Sequence, residues 1–244
     1  MKKFESQGIF YGVGVGPGDP ELLTVKAINT IKNSDIIIAP KTEKKDDSLA
    51  LSIAKPYLNE NTEVICQTFP MIKNFEDSPS VFEEIKNNIL SFLNAGKNVT
   101  FLTLGDPMFY STYVYIFRLL KDMNVKIVTV PGVPSFLAIS SYINKPLVYG
   151  DDILTVIPAT ADSKKILDAL NCSDVAVLMK VYKNFDAIVD MLKTKDMTEK
   201  SVLVSRCGLN DEKIITNIEE HKSEKINYLS TILTRRKKEF LSAY

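Results

Sequence analysis

The chain has 244 residues, 45% of them hydrophobic and 25% charged, with 30 basic residues balanced by 30 acidic ones. This length suits one large domain or two domains of about 100–150 residues each. The neutral balance excludes a global positive field for nucleic acid or for an anionic membrane. Three scattered cysteines and one histidine, His221, argue against a typical zinc site and a histidine-based triad. With no signal-like N-terminus and no bilayer-length apolar run, we expect a cytoplasmic protein without a membrane span or protein-bound metal.

Short apolar runs alternate with helical patterns through the first half of the chain. Strands are predicted at Ile9–Val15, Asp35–Ala39 (stopped by Pro40), Glu63–Thr68, Asn98–Leu104 and Val125–Val130. Helices are predicted at Thr24–Lys32, Ser48–Tyr57 and Tyr110–Met123, and behind a capping box at Ser80-Val81-Phe82-Glu83 that Gly96 terminates. This alternation predicts an α/β domain with a mostly parallel sheet and helices on its faces.

A break near Asn144-Lys145-Pro146 separates a second, smaller α/β pattern. It contains strand-like runs at Ile153–Ile157, Val175–Met179, Ser201–Ser205 and Tyr228–Thr234, and helical patterns at Ser163–Leu170 and Phe185–Leu192. We therefore predict two α/β domains, residues 1–143 and 144–244, with the ligand cleft between them.

The first predicted strand runs into a turn that holds glycine at alternate positions, Gly12-Val13-Gly14-Val15-Gly16-Pro17-Gly18-Asp19-Pro20. A phosphate-binding P-loop requires Gly-Lys-Ser/Thr, but Gly18 is followed by Asp19-Pro20. The dinucleotide motif G-x-G-x-x-G would need glycine at position 17 or 19, where proline and aspartate stand. A tight strand-to-helix connection needs one or two glycines rather than four. We therefore interpret the turn as a surface that a ligand approaches closely.

Two further loops follow predicted strands, Gly105-Asp106-Pro107 and Pro131-Gly132-Val133-Pro134. In a parallel sheet, ligands bind beyond the carboxyl ends of the strands, so all three loops should share one edge. Asp106 either accepts hydrogen bonds from a ligand or only closes an Asx-turn. Each of these loops alone would indicate no more than a turn.

Together and in this order, the three motifs resemble the tetrapyrrole methyltransferase family, and the resemblance extends to Val177-Leu178-Met179-Lys180. Within that family, residues 106–115 are similar to the methylases that act at C-20 in cobalamin synthesis. The resemblance implies a homodimer that binds S-adenosylmethionine between two α/β domains, beside a tetrapyrrole.

The family's cofactor contacts map onto Pro17, Gly105, Asp106, Phe109, Pro134, Ser135, Met179, Cys207 and Thr231. Substrate contacts are predicted at Gly18, Asp19, Ser111, Thr112 and Arg206. Helix capping explains Ser111 and Thr112 equally well, and core filling explains Met179. At position 134 the family usually has a small hydroxylated residue, so Pro134 can contribute only backbone or shape. Lys180, Arg235 and Arg236 are further candidates for holding substrate carboxylates.

The implied reaction is direct methyl transfer, which depends on proximity, orientation and exclusion of water rather than on a protein nucleophile. Asp19 is a candidate for a catalytic residue, and no proton acceptor is identified. The Lys-, Asn- and Ile-rich composition suggests an AT-rich genome, as in many anaerobes. It therefore favours the oxygen-independent route and its cobalt-containing substrate, cobalt-factor II (cobalt-precorrin-2), over metal-free precorrin-2. Alternatives are another corrin-ring methylase, diphthine synthase and a non-catalytic cofactor-binding module.

Overall fold

The computed structural model describes residues 7–41, 48–69 and 79–236. The chain divides into two compact units, Met1–Pro134 and Ser135–Tyr244. The sequence placed the domain boundary at residues 143/144. The intervening stretch is a helix that packs on a strand of the second unit.

Five strands form the sheet of the first unit, and every strand pairing in it is parallel. The strands are β1 (Ile9–Gly14), β2 (Ile36–Lys41), β3 (Glu63–Thr68), β4 (Val99–Thr103) and β5 (Lys126–Val130), in the spatial order β3-β2-β4-β1-β5. The helices are α1 (Val25–Lys32), α2 (Leu49–Ala54), α3 (Pro79–Asn94) and α4 (Tyr113–Leu120). The predicted α/β class is confirmed.

Helices cover both faces of this sheet because its strands send apolar side chains to both sides. Phe10 of β1 belongs to a core shared with α3 and α4, whereas Val13 of the same strand belongs to a core shared with α1 and α2. Every residue of β4 is buried. Strands buried on both faces read as continuous apolar runs, which is why the sequence pattern located them well.

The second unit has a mixed five-stranded sheet in the order β6-β7-β10-β8-β9. The strands are β6 (Leu154–Pro158), β7 (Val175–Met179), β8 (Val202–Ser205), β9 (Lys213–Ile215) and β10 (Ser230–Arg235). Only β6 and β7 pair in parallel, and β10 runs antiparallel to both β7 and β8. The helices are α5 (Ser135–Tyr142), α6 (Ser163–Asn171) and α7 (Phe185–Lys193).

Two local predictions were wrong. Strand β2 does not stop at Pro40, because it pairs with β4 only as far as Ile38 and afterwards with β3 alone. The missing N–H of proline is tolerated where a strand has one neighbour. Helix α3 begins at Pro79, so Ser80 lies inside it rather than at its cap. Proline suits the first helical position because the N–H there needs no helical partner.

Within the described part of the chain, no helix is both long and apolar enough to cross a membrane.

Candidate active site

The three motif loops meet at one edge of the first unit, because β4, β1 and β5 are neighbouring parallel strands. Gly16 and Gly105 form a backbone bridge in which Gly105 N–H donates to Gly16 O at 2.8 Å. The return bond, from Gly16 N–H to Gly105 O, is 3.4 Å long. The predicted convergence of the loops is therefore confirmed.

Close contacts within the protein explain three of the glycines. A Cβ on Gly14 would lie 2.5 Å from Gly105 O, and a Cβ on Gly132 would lie 2.2 Å from the same oxygen. A Cβ on Gly12 would lie 2.2 Å from the Tyr113 ring. The interpretation that alternate glycines all form a surface for a ligand is wrong for Gly12 and Gly14, which make room for the protein itself.

Tyr113 fills the space that Gly12 leaves. Its side chain is fully buried, and its hydroxyl lies 2.8 Å from Thr129 Oγ1. Burial raises the pKa of Tyr113 despite the hydrogen bond with Thr129. The pairing of Gly12 with Tyr113 was missed from the sequence, because the two residues are far apart along the chain and nothing local marks their contact.

Asp106 connects the second and third loops through its carboxylate. Oδ1 accepts the N–H of Met108 at 2.8 Å, which closes the Asx-turn, and Oδ2 accepts the N–H of Gly132 at 3.0 Å. Each carboxylate oxygen has a second acceptor position. Asp106 therefore has a structural role, and a contact with a ligand remains compatible with it.

The first loop continues from the end of β1 through Pro17, Gly18 and Asp19. Pro17 and Gly18 are buried. Asp19 caps a short 3₁₀ helix at Pro20–Leu22, and its Oδ1 accepts the N–H of Glu21 at 2.8 Å. This contact explains the aspartate structurally, and its role towards a substrate stays a prediction.

The segment after Asp106 turns sharply before α4. Phe109 is half-buried, and its ring centroid lies 4.7 Å from that of Tyr110, which has a positive φ of 49°. Ser111 Oγ accepts the N–H of Tyr113 at 3.0 Å, whereas Thr112, the N-cap residue, makes no side-chain capping bond. Capping therefore explains Ser111 but not Thr112.

Pro134 closes the third loop against the second. Its Cα would lie 4.0 Å from a Cβ placed on Gly105. This proximity agrees with a contribution through shape, because proline offers no donor there.

In the second unit, two of the predicted residues, Met179 and Thr231, lie at the same end of neighbouring strands. Met179 ends β7 and lies directly opposite Thr231 of β10, and Thr231 is buried. Ser135 is the first residue of α5. Lys180 follows Met179 with a φ of 61°, and burial lowers the pKa of its ammonium group.

Arg206 and Cys207 follow β8 at the same edge. Arg206 has a φ of 56°, and its guanidinium Nε donates to the exposed Asp211. Cys207 is buried, and this burial, together with the nearby Glu212 carboxylate, raises the pKa of its thiol to about 12. Cys207 is therefore a protonated, unreactive thiol at neutral pH.

The other two candidate arginines have structural partners. Arg235 pairs with Asp152, whose side chain has no exposed surface, and its guanidinium carbon lies 4.5 Å from the centroid of Tyr149. Arg236 donates to the carbonyl oxygens of Leu170 and Ser173. We therefore remove both arginines from the candidates for substrate binding.

Among the described residues, no group of three or more His, Cys, Asp or Glu side chains is placed to hold a metal ion. His221 is half-exposed, and its Nδ1 lies 2.9 Å from Oε2 of Glu224.

Comparison with known proteins gives a consistent result. The family model for tetrapyrrole (corrin/porphyrin) methylases matches residues 10–221. The chain is 36% identical to cobalt-precorrin-2 C(20)-methyltransferase of Salmonella typhimurium, over 96% of this chain and 98% of that protein. It is also 36% identical to a probable cobalt-precorrin-2 C(20)-methyltransferase of Methanocaldococcus jannaschii, over 93% and 95% of the two chains.

The fold is shared with uroporphyrin-III C-methyltransferase from Thermus thermophilus, which was solved in complex with S-adenosylhomocysteine. The TM-score is 0.70 at 20% identity, over 93% of this chain and 92% of that one.

Proposed function

The chain belongs to the tetrapyrrole (corrin/porphyrin) methylase family, and on that premise we propose that it transfers a methyl group from S-adenosylmethionine to C-20 of cobalt-precorrin-2. The observation that carries this proposal is the similarity to two cobalt-precorrin-2 C(20)-methyltransferases, which extends along nearly the whole of each chain. A match of this extent includes both units rather than one shared module. A non-catalytic cofactor-binding module is therefore disfavoured.

The loop edge of the first unit supports a bound methyl donor. Gly105 presents backbone without a side chain, and Asp106 keeps one acceptor position on each carboxylate oxygen for a hydroxyl or an amine. When bound, S-adenosylmethionine supplies a methyl group that its positively charged sulfur has already activated. The residues of this edge would hold and orient it.

Reactivity in this scheme comes from positioning, so the rigidity of the loops matters more than any single functional group. The bridge between Gly16 and Gly105 and the bond from Gly132 to Asp106 tie three loops into one body. Positioning of two reactants can lower a barrier by about 7–11 kcal/mol. A misplacement of about 1 Å can reduce the rate by about 100-fold.

We propose the site residues for each unit separately. In the first unit, Pro17, Gly105, Asp106, Phe109 and Pro134 contact the cofactor. In the second unit, Ser135, Met179, Cys207 and Thr231 do so. Substrate contacts are proposed at Gly18, Asp19, Ser111, Thr112 and Arg206. We further propose that the protein is cytoplasmic and forms a homodimer. Light scattering would test the homodimer, for which we expect a mass near twice 27.3 kDa.

The decisive experiment supplies methyl-labelled S-adenosylmethionine with cobalt-precorrin-2, metal-free precorrin-2 or uroporphyrinogen III. We expect a mass gain of one methyl group on cobalt-precorrin-2, and NMR of the product should place the label at C-20. Transfer to metal-free precorrin-2 alone would show that the substrate carries no cobalt. A label at another carbon would show that C-20 is not the methylated position.

Binding gives an independent check. S-adenosylhomocysteine should raise the unfolding temperature, because a ligand that binds only the folded state stabilises it. NAD and ATP should leave the unfolding temperature unchanged. If S-adenosylhomocysteine gives no stabilisation and none of the tetrapyrroles is methylated, the proposed function is wrong.

A further inference from the structure

Exposed apolar side chains occupy the middle of the loop that joins β4 to α4, residues 104–112. Met108 is 50% exposed, Tyr110 is 45% exposed, and Phe109 between them is half-buried. This loop belongs to the edge where the three motif loops meet, and it also carries Gly105 and Asp106. Contiguous exposed apolar side chains mark a surface that binds a ligand or a partner.

Hydrogen bonds hold this loop on both sides of its apolar stretch. On one side, the Asp106 carboxylate accepts the N–H of Gly132 from the neighbouring loop at 3.0 Å. On the other side, Ser111 Oγ accepts the N–H of Tyr113 at 3.0 Å and lies 3.3 Å from Thr103 Oγ1. The exposed stretch at residues 108–110 therefore lies between two fixed points.

Tyr110 has a backbone conformation that its side chain disfavours. Its φ is 49°, in the left-handed region where a bulky residue is an outlier. Glycine or asparagine would occupy the same position with less strain. Residues held in such conformations recur at ligand-binding positions. The strain indicates that the ring is retained for binding, because stability alone would favour a different residue.

Phe109 supports the ring of Tyr110 from one side. The two ring centroids are 4.7 Å apart at an interplanar angle of 61°, an edge-to-face arrangement. This contact restricts the Tyr110 ring while a large part of the residue stays exposed. A restricted, exposed aromatic ring can pack on a flat ligand at a small cost in conformational entropy.

The same edge offers a ligand no positive charge. The described loops at residues 15–19, 104–112 and 131–134 contain two carboxylates, Asp19 and Asp106, and no lysine or arginine. A tetrapyrrole carries its carboxylates at its periphery, whereas its broad ring system consists mostly of apolar carbon. These loops therefore suit the ring system rather than the carboxylates.

We propose that the ring of Tyr110 packs against the flat face of the tetrapyrrole and so recognises the conjugated ring system of the substrate. This inference rests on the proposed function and adds a specificity-determining residue to the substrate contacts of the same loop. Tyr110 acts through the shape and apolar surface of its ring, and its hydroxyl takes no part in bond making.

Two ring-less variants, Tyr110→Gly and Tyr110→Asn, remove the ring at a position that both new residues tolerate. They should raise KM for cobalt-precorrin-2 by about 10-fold, because an aromatic contact and its buried apolar area are lost. Tyr110→Phe keeps the ring and should retain most of the affinity. The matched control is Asp196→Gly, since Asp196 is exposed, lies in the second unit and has a φ of 53°. Its KM should equal that of wild type.

Thermal unfolding separates this role from a purely structural one. Relief of the left-handed strain offsets the loss of the ring contact with Phe109, so the ring-less variants should unfold within about 3 °C of wild type. Their affinity for S-adenosylhomocysteine should change by less than about twofold. A tyrosine needed only for the fold would instead lower the unfolding temperature and weaken the binding of both ligands alike.

A pair of macrocycles gives a readout that does not depend on turnover. Uroporphyrin III is flat and conjugated, whereas uroporphyrinogen III carries the same carboxylates on a puckered ring whose pyrroles are not conjugated with one another. In calorimetric titrations, wild type and Tyr110→Phe should bind uroporphyrin III more tightly than uroporphyrinogen III. The ring-less variants should lose most of that preference.

The proposal is overturned if KM for cobalt-precorrin-2 is unchanged in both ring-less variants, or if their preference for uroporphyrin III equals that of wild type. It is also overturned if S-adenosylhomocysteine affinity falls by the same factor as substrate affinity, since the ring would then contact the cofactor. A lower mass of the ring-less variants in light scattering would show that a second copy covers Tyr110, and this would reject the proposal too.

Failure of the proposed function gives a different result. If wild type methylates no tetrapyrrole, the proposed function is wrong, and the titrations with the two macrocycles decide the role of Tyr110. Equal binding of both macrocycles by wild type, or binding of neither, then rejects that role.

Discussion

Replacing Gly132 with alanine tests whether close contact between the loops holds the proposed cofactor edge together. Gly132 has no positive φ, so alanine suits its backbone conformation and only the added methyl group matters. That methyl carbon would lie 2.2 Å from Gly105 O and 2.8 Å from two backbone atoms of Gly14. Since 3.4 Å is an ordinary contact, the loops would have to open by about 1 Å.

The cost has two parts. Overpacking a tight site costs about 1–3 kcal/mol, and these clashes involve backbone rather than a movable side chain. Opening the loops also weakens the bond from Gly132 N–H to Asp106, and hydrogen bonds to charged groups contribute about 1.5–3 kcal/mol. We expect a loss of about 3 kcal/mol or more. At about 2–4 °C per kcal/mol, the unfolding temperature should fall by about 6–12 °C.

Thermal unfolding followed by circular dichroism, and calorimetric titration with S-adenosylhomocysteine, would measure both effects. The matched control is Gly16→Ala in the neighbouring loop. There φ is +76° but no atom comes closer than 3.6 Å, so only torsional strain of about 1–2 kcal/mol is added. The reasoning fails if Gly132→Ala unfolds within 2 °C of wild type, or if it is the milder of the two variants.

Three further predictions follow from individual contacts. Asp106→Asn should weaken S-adenosylhomocysteine binding in calorimetry, because both carboxylate oxygens accept backbone N–H groups and an amide must turn its NH₂ towards one of them; unchanged affinity would remove Asp106 from the site. Because the pKa of the Cys207 thiol is raised to about 12, its alkylation at pH 8 should be far slower than that of the two exposed cysteines, and it should become faster as pH rises. Mass spectrometry should show two rapid additions, and three equal rates would contradict this prediction. Arg235→Met should cost about 3 kcal/mol in urea unfolding, because it removes the cation from the buried carboxylate of Asp152. The double variant with Asp152→Leu should recover much of that loss, and additive losses would show that the pair is not the cause.

The fold was largely predictable from the sequence, because buried parallel strands are continuous apolar runs. The predicted range Val175–Met179 matches β7 residue for residue, and the first four residues of this strand are buried. The predicted range Glu63–Thr68 also matches β3, although β3 is an edge strand and is largely exposed. Missed elements had weaker local signals. Helix α5 follows the Pro-Gly-Val-Pro loop with little amphipathic pattern, and β9 is a three-residue strand.

The candidate site was predictable as a location but not as a set of contacts. Parallel strands bring their carboxyl ends to one edge, so three motif loops had to meet there. The reason for Gly12 could not be found, because Tyr113 contacts it from α4. Likewise, Arg235 was a candidate ligand for substrate carboxylates until Asp152 appeared beside it. Contacts between residues distant in sequence leave no local pattern.

The position of β10 affects how the polypeptide matures during its synthesis. Strand β10 lies in the middle of its sheet, between β7 and β8, yet it is the last strand along the described chain. A ribosome therefore exposes β7 and β8 before the strand that joins them exists, and until then each has an unpaired edge. All five strands of the first unit are made by residue 130. The nascent chain can thus complete its amino-terminal sheet early, whereas the carboxy-terminal sheet forms only after residues 230–235 have left the exit tunnel. During that delay the unpaired edges of β7 and β8 can aggregate, and chaperones can prevent this.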